Sequence, residues 1–375
     1  MKIGFDGKRA ANNFTGLGNY SRSLIAQLAS FFPQNQYLVY IQKIKDHPQV
    51  ADFLKDKQIK VCLPQKPGLL WRTSGIKKQL ISDELDLFHG LSHEIPFGIN
   101  KTGIASVVTI HDLIFLKFPR YFKVIDRFIY KLKAKYACRH ADRIVAISEC
   151  TKRDIVSFFN ISPNKIDVVY QSCDDSFKAD ADAKFNETVR AKFSLPANYI
   201  LNVGTIETRK NLVTLIKALK NVDSTYKLVV VGRKTGYMEL VNQEIDKLGL
   251  RERVIFLQNV PFNELPAIYQ MAKVFAYPSL YEGFGIPITE AIFSKVPVVA
   301  ATGSCLEEAG GNTSLYVSPL DHAALASAIN QIIASPELHQ KMITEGLTHV
   351  KRFDNDVIAN DMINVYNTTL SAKNN

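Results

Sequence analysis

The chain has 375 residues, 46% of them apolar and 22% charged. That balance excludes a disordered, collagen-like or coiled-coil protein and supplies material for more than one core. Basic residues exceed acidic ones by 10, and between Lys117 and Arg139 eight of them stand against Asp126 alone, a cluster that attracts phosphate on nucleic acid, a membrane or a lipid-linked substrate.

Five scattered cysteines without a C-x-x-C pair are neither a disulfide framework nor a zinc site, and they suit a reducing cytoplasm. Asp6 interrupts the first apolar residues and no 18-residue apolar run follows, so neither a signal peptide nor a membrane span is expected.

Along the chain, short apolar runs rich in β-branched residues alternate with longer stretches of helical period, as expected of β-α units stacked around a parallel sheet. The first series of expected strands is 2–5, 37–41, 60–63, 85–89, 106–110, 143–147 and 166–169. Helical patterns fill 17–31 and 121–139, and another starts near Glu149 behind Ser148, a capping residue type. Residues 171–198 are polar and acidic at the start, and read as an interdomain connection. A second series then follows, with strands expected at 199–203, 227–231, 254–257, 274–276, 298–300 and 315–317. A last helical stretch, 355–370, is expected to pack back on the first domain. The pattern predicts two Rossmann-like α/β domains, 1–172 and 173–352, facing across a cleft, with 353–375 as the returning helix; domain interfaces are favoured ligand sites.

The strongest local signal is YEGFGIPITEA at 281–291. Gly283 and Gly285 lack Cβ atoms, so backbone N–H groups there approach an anion closely. Pro287 suits a first helical turn, and the helix N-terminus aims partial positive charge at the loop. Glu282 and Glu290 put two carboxylates at one helix mouth, set to bind different hydroxyl groups of one ligand; a glycine turn with two solvated acids is the plainer alternative. NVGTIETRKN at 202–211 sets Arg209 and Lys210 side by side at a strand-to-helix junction, where α/β folds hold phosphate, or else on an exposed basic turn.

TGLGNY at 15–20 carries Gly16 and Gly18 ahead of a helix, but the third glycine of a dinucleotide fingerprint would fall at Ser21. An NAD-dependent dehydrogenase is therefore only a distant expectation. His111 in TIHDL ends an expected strand on the ligand edge of its sheet, with Asp112 as a helix or turn cap. His89 and His93, with Glu94, lack a third ligand at zinc spacing, and Gly90 and Pro96 break the helix that would align them; no metal is expected. Asp180 and Asp182 lie in the polar connection and read as surface charge.

Lys123, Arg127, Lys131, Lys135 and Arg139 recur every four residues, with Val124, Phe128, Leu132 and Tyr136 on the neighbouring ridge. That is an amphipathic helix with a cationic face. It suits an anionic lipid surface or a lipid diphosphate acceptor, and equally a helix packed on its sheet with a solvated face. No nucleic-acid-binding module accompanies it.

The E-x7-E segment in its Gly/Pro context resembles the signature of retaining glycosyltransferases with the two-domain GT-B fold, in particular family four, which includes bacterial mannosyl- and glucosyltransferases of polysaccharide assembly. With TGLGNY, TIHDL and NVGTIETRKN in order, the resemblance runs from residue 15 to the final helix. It implies an acceptor-binding first domain, a nucleoside diphosphate sugar on the second, and hexose transfer with retention, without a metal or other cofactor.

The resemblance also implies particular residues. Donor contacts fall on Gly16 and Gly18, on Thr205, Arg209 and Lys210, and on Glu282, Gly283, Phe284, Gly285, Ile286 and Glu290. Thr205 stands where many members have an arginine. Arg233 and Val260 lie along the expected nucleobase, and Glu290 meets the ribose. Catalytic roles fall on His111, Glu282, Arg209 and Lys210, and the acceptor side on His89, Lys123, Arg127 and Lys131.

The implied partners are a nucleotide-sugar donor and a glycan or lipid-diphosphate-linked acceptor, met by a cytoplasmic enzyme at the inner face of the membrane, with no nucleic acid. The segments TIETRKN and FHGLS lean towards GDP-mannose. Rival expectations are another GT-B enzyme, such as a nucleotide-sugar 2-epimerase, and a non-catalytic sugar-nucleotide-binding scaffold.

Overall fold

Each apolar run of the first half becomes a strand of one parallel sheet: β1 (Lys2–Asp6), β2 (Gln36–Tyr40), β3 (Ile59–Cys62), β4 (Leu87–Gly90), β5 (Ala105–Ile110), β6 (Arg143–Ala146) and β7 (Ile166–Val168). The computed structural model describes residues 1–64, 68 and 70–374. The strands run in the order β3-β2-β1-β4-β5-β6-β7, every pair parallel.

Alternate side chains leave opposite faces of a strand, and here both faces are covered. On one face Ile3, Phe5, Val39, Leu87 and Val107 pack with Leu24 and Ile25 of the helix Gly16–Phe31 and with Met362 and Tyr366 of the helix Asn355–Asn374. On the other face Leu38, Tyr40, Phe88, Val108 and Ile144 pack with Trp71, Leu80, Ala134 and Ile155. The C-terminal helix therefore belongs to this first unit, which holds Met1–Gln171 and the chain from Asn355 onward. Ser148 caps the helix Glu149–Phe159, its hydroxyl accepting the Thr151 N–H at 3.0 Å.

The second unit, Ser172–Asp354, repeats the plan with β8 (Tyr199–Val203), β9 (Lys227–Val231), β10 (Val254–Leu257), β11 (Val274–Tyr277), β12 (Val298–Ala301) and β13 (Leu315–Val317). Their order is β10-β9-β8-β11-β12-β13. In both sheets the strand order reverses beside the first strand of the series, between β1 and β4 and between β8 and β11. Open α/β sheets take ligands outside the carboxyl ends of strands at such a switch point.

The polar stretch after residue 171 is more than a connection. It contains the helix Ala183–Phe193, capped by the Asp182 carboxylate, which accepts the N–H groups of Lys184 and Phe185 at 3.0 and 3.1 Å. Its buried apolar residues, Phe177 and Val189 among them, are too few and too widely spaced to make a run. Asp180 pairs with Lys295 at 2.7 Å, out on the surface.

Candidate active site

At the carboxyl end of β8 the chain makes one 3-10 turn, Thr208–Lys210, before the helix Leu212–Leu219. Asn211 between them holds a left-handed conformation, φ 58°. Its amide donates to the carbonyls of Pro278 and Pro319 at 3.1 and 2.6 Å, which ties the turn to the end of β11. The arrangement turns Arg209 and Lys210 onto the segment that carries Glu282.

The Glu282 carboxylate lies 2.7 Å from Arg209 Nη1 on one oxygen and 2.7 Å from Lys210 Nζ on the other. Ser279 and Tyr277 hydroxyls donate to the same oxygen as Lys210, at 2.5 and 3.1 Å. Burial alone would raise this carboxyl, but Lys210 and Arg209 outweigh it and hold it at about 2. Arg209 also donates to the Tyr281 carbonyl at 2.7 Å and pairs with Glu207 at 2.6 Å. Two basic side chains are thus fixed and oriented by one buried carboxylate at the switch point of the sheet. Glu282, expected among the donor contacts, is the counter-ion of both Arg209 and Lys210.

Gly285 follows at φ 139°, where L side chains rarely go, and a Cβ there would stand 3.0 Å from that of Ala309. It precedes the helix Ile286–Phe293, which has Pro287 in its first turn. The Cys305 thiol, beneath the loop, donates to the carbonyls of Glu282 and Phe284. Phe284 is buried, with its ring 5.2 Å from that of Phe353, and Gly283 and Ile286 complete the loop. Thr205, half-buried, follows β8; Arg233, exposed, follows β9; Val260, half-buried, follows β10. All three share the sheet edge that holds Arg209 and Glu282.

Glu290, on the helix Ile286–Phe293, accepts the Tyr269 hydroxyl at 2.9 Å. Burial raises its pKa to about 7, with Asp174 adding to the rise and Tyr269 and Lys210 opposing it. A carboxyl whose folded pKa lies above its ordinary value stabilises the fold below pH 4.5, and that stabilisation is lost as pH rises through about 7. Glu290→Gln is therefore expected to melt several degrees higher than the parent at pH 8 and close to it at pH 5. Superimposable melting curves at both pH values would show that Glu290 ionises freely.

In the first unit the glycine loop is built around Asn13, whose side-chain oxygen accepts the N–H groups of Thr15 and Gly18 at 2.9 and 3.0 Å. A Cβ on Gly18 would meet the Asn13 carbonyl oxygen at 1.8 Å, whereas Gly16 faces open space. His111, just past β5, is buried, with Nε2 2.9 Å from the Leu91 carbonyl and Nδ1 3.2 Å from the Gln171 amide. Burial holds its pKa near 3, so the ring is neutral, Nε2 donates and Nδ1 accepts. Asp112 caps the following turn, accepting the Ile114 N–H at 3.0 Å.

His89 differs from its expected place on the acceptor side. It is 0% exposed, with Nδ1 2.7 Å from the Tyr366 hydroxyl and Nε2 2.8 Å from that of Thr109. It links β4 and β5 to the C-terminal helix and has no face for a ligand. Lys123 and Lys131 are exposed and Arg127 is half-buried, on and before the helix Val124–His140.

Sequence reasoning missed a charged chain at the first switch point. Arg72, on the π-helical turn Trp71–Gly75, grips Asp6 at the end of β1, with its Nη2 2.5 Å from the carboxylate. It also bonds Glu94 at 2.6 Å, which in turn meets Lys133 at 3.3 Å. Asp6 and Arg72 are 66 residues apart, so no local spacing announces the pair. Tyr269, Tyr277 and Ser279 were also missed, although Tyr277 and Ser279 immediately precede the E-G-F-G loop.

Comparison with known proteins agrees with this geometry. A family described as Glycosyltransferase Family 4 matches residues 15–177, and one described as Glycosyl transferases group 1 matches residues 185–349. The O-antigen chain mannosyltransferase RfbU of Salmonella typhimurium is 34% identical over 266 residues, spanning 70% of this chain and 68% of that protein. O-antigen chain mannosyltransferase B of Escherichia coli is 28% identical across 98% of this chain and 99% of its own length. Among solved structures, Anabaena HepE in complex with UDP and glucose shares the fold with a TM-score of 0.76 at 19% identity, over 98% of this chain and 100% of that one. The two doubly wound sheets, with two cations and two glutamates gathered at the switch point of the second, are those of a GT-B enzyme: the chain belongs to the group 1, family 4 glycosyltransferases and is a glycosyltransferase.

Proposed function

We propose that the enzyme moves a hexose, mannose from GDP-mannose, onto a hydroxyl of a glycan or lipid-diphosphate-linked acceptor in the synthesis of a cell-surface polysaccharide, with retention at the anomeric carbon. The observation that carries this reading is the pairing of Arg209 and Lys210 with Glu282 at the second switch point. The sugar and the polysaccharide are taken from the relatives, two of which are O-antigen chain mannosyltransferases.

The departing diphosphate is the costly charge. Arg209 supplies a fork and Lys210 a point charge for it, and the N–H groups at the start of the helix Ile286–Phe293 add their dipole. This neutralisation comes from side chains and backbone, so the reading includes no metal. Both oxygens of Glu282 are occupied, which makes it a poor nucleophile. Same-face substitution follows, with a donor phosphate oxygen receiving the acceptor's proton. Glu290 takes the ribose hydroxyls in its ionised form, so donor affinity rises as pH passes about 7. The enzyme works in the cytoplasm at the inner face of the membrane, where the exposed basic helix Val124–His140 meets the lipid.

The test is thermal stabilisation by GDP, UDP, ADP and NAD. A nucleotide present at 100 times its dissociation constant adds roughly 2.7 kcal/mol to the stability of the unit that binds it. GDP is expected to stabilise the protein and the others not. Stabilisation by UDP alone would replace mannose as the sugar, and stabilisation by NAD alone would overturn the transferase chemistry.

A further inference from the structure

Each switch point holds a glutamate between an arginine and a lysine, but the two are used differently. In the second unit Arg209 and Lys210 take one oxygen each of Glu282, and neither oxygen is left over. In the first unit Arg72 and Lys133 both donate to the same oxygen of Glu94, at 2.6 and 3.3 Å. The other oxygen, Oε1, accepts from no described residue, and Lys133 bonds no other described residue. Burial would raise the Glu94 carboxyl, but Arg72 and Lys133 outweigh it and hold it below its usual range. An ionised oxygen and ammonium N–H groups are thus to spare, side by side.

The loop that carries Glu94 is held from β4 and from β5. Gly90, which ends β4, lies so near the Glu94 carbonyl that a Cβ there would stand 2.0 Å from its oxygen. His93 keeps a left-handed backbone, φ 60°, although no helix ends there; strain of this kind persists where the surroundings fix a group in place. Its N–H donates to the Thr109 carbonyl at 2.9 Å, and its Nε2 lies 3.0 Å from the Asp112 carbonyl. Its ring stands 5.6 Å from that of His111. The side chains of Glu94 and Lys133 are 18% and 34% exposed, so a ligand reaches both. A fixed carboxylate beside an ammonium matches two neighbouring hydroxyls of a pyranose, one donating to Glu94 and the next accepting from Lys133.

We infer that Glu94 and Lys133 bind the acceptor by a pair of vicinal hydroxyls on its terminal hexose, with Arg72 as the positioning residue that holds Glu94. This deepens the acceptor side of the reaction proposed above and rests on that reading. It puts the sugar at the first switch point, where an open α/β sheet takes its ligand, on the loop that packs against His111. The pair also selects among acceptors, because a hexose lacking either hydroxyl leaves a desolvated charge unpaired.

The experiment is saturation-transfer NMR of the full chain with the methyl α-pyranosides of mannose, glucose and galactose, and with the monodeoxy analogues of whichever binds. One of the three hexosides is expected to bind the parent, and Glu94→Gln and Lys133→Met each to weaken it about tenfold or more. Two analogues deoxygenated at adjacent carbons are expected to bind the parent equally weakly. One of them should lose nothing further in Glu94→Gln and the other nothing further in Lys133→Met, since groups in contact are not additive. Losses that add in every combination would make Glu94 a brace for Arg72 alone and overturn the inference. Binding of no hexoside by the parent would overturn it too. Lys133→Met leaves Arg72 on both Asp6 and Glu94, so it keeps the test open if Glu94→Gln folds poorly. The assay uses no donor: a parent that no nucleotide stabilises would overturn the proposed function, whereas additive losses beside intact stabilisation by GDP would remove only the acceptor assignment.

Discussion

Arg209→Ala is expected to lower kcat/KM by roughly 10²- to 10³-fold, the usual loss when one preorganised charge donor is removed from a transition state. The guanidinium bonds the Tyr281 carbonyl, Glu207 and Glu282 at once. Those bonds hold the fork where the leaving diphosphate needs it, with no reorganisation left to be done. Lys at this position keeps the charge but loses the fork, so Arg209→Lys recovers only part of the activity. The fold should survive the change, because Glu282 keeps Lys210, Ser279 and Tyr277 as partners. Steady-state kinetics with varied donor, beside a melting curve, separate the two effects. A variant that turns over within about threefold of the parent at unchanged stability would remove Arg209 from the leaving-group site.

The architecture was readable because parallel strands buried on both faces must be apolar runs, and every run picked out in both halves is a strand. The E-x7-E loop was readable because its glycines and its proline are local backbone requirements; Gly285 at φ 139° and Pro287 in the first turn are where the pattern put them. What the pattern did not carry is who pairs with whom. That Glu282 would be held by Arg209 and Lys210 depends on the crossover that places β11 beside β8, and the two partners lie 72 residues away or more.

His89 shows the same limit from the other side. Its place after an apolar run is shared by a ligand-edge residue and by a buried one. The helix that covers it contributes Tyr366, 277 residues further on. The basic helix was seen as amphipathic, but periodicity alone does not say which ridge faces inward; that was decided by Ala134, Ala137 and Cys138, the only small residues on one side of it.

Arg72 carries the second large effect, on stability in place of catalysis. Its side chain is 14% exposed and those of Asp6 and Glu94 are 10% and 18% exposed. Burial tends to raise the Asp6 pKa, yet Arg72 at bonding distance outweighs it and leaves the carboxyl below its usual value. Arg72→Met leaves the buried Asp6 without its cation and Glu94 with Lys133 alone. Breaking a buried pair from one side costs about 3–5 kcal/mol, or a fall in Tm of roughly 6–20 °C for a domain of this size.

Lys133→Met is the control: Glu94 keeps Arg72, so the loss should stay near 1 kcal/mol or less, as for a partly exposed pair. The Asp6 contribution is present above the unfolded carboxyl's pKa and is lost as pH falls through the lower folded value, so the gap between parent and Arg72→Met should close as the solution is acidified. GDP should still stabilise whatever fraction remains folded, since Arg72 and the donor cations lie on different units. An Arg72→Met protein that melts within about 2 °C of the parent at pH 7 would mean that the charged chain from Asp6 to Lys133 contributes little to the first unit.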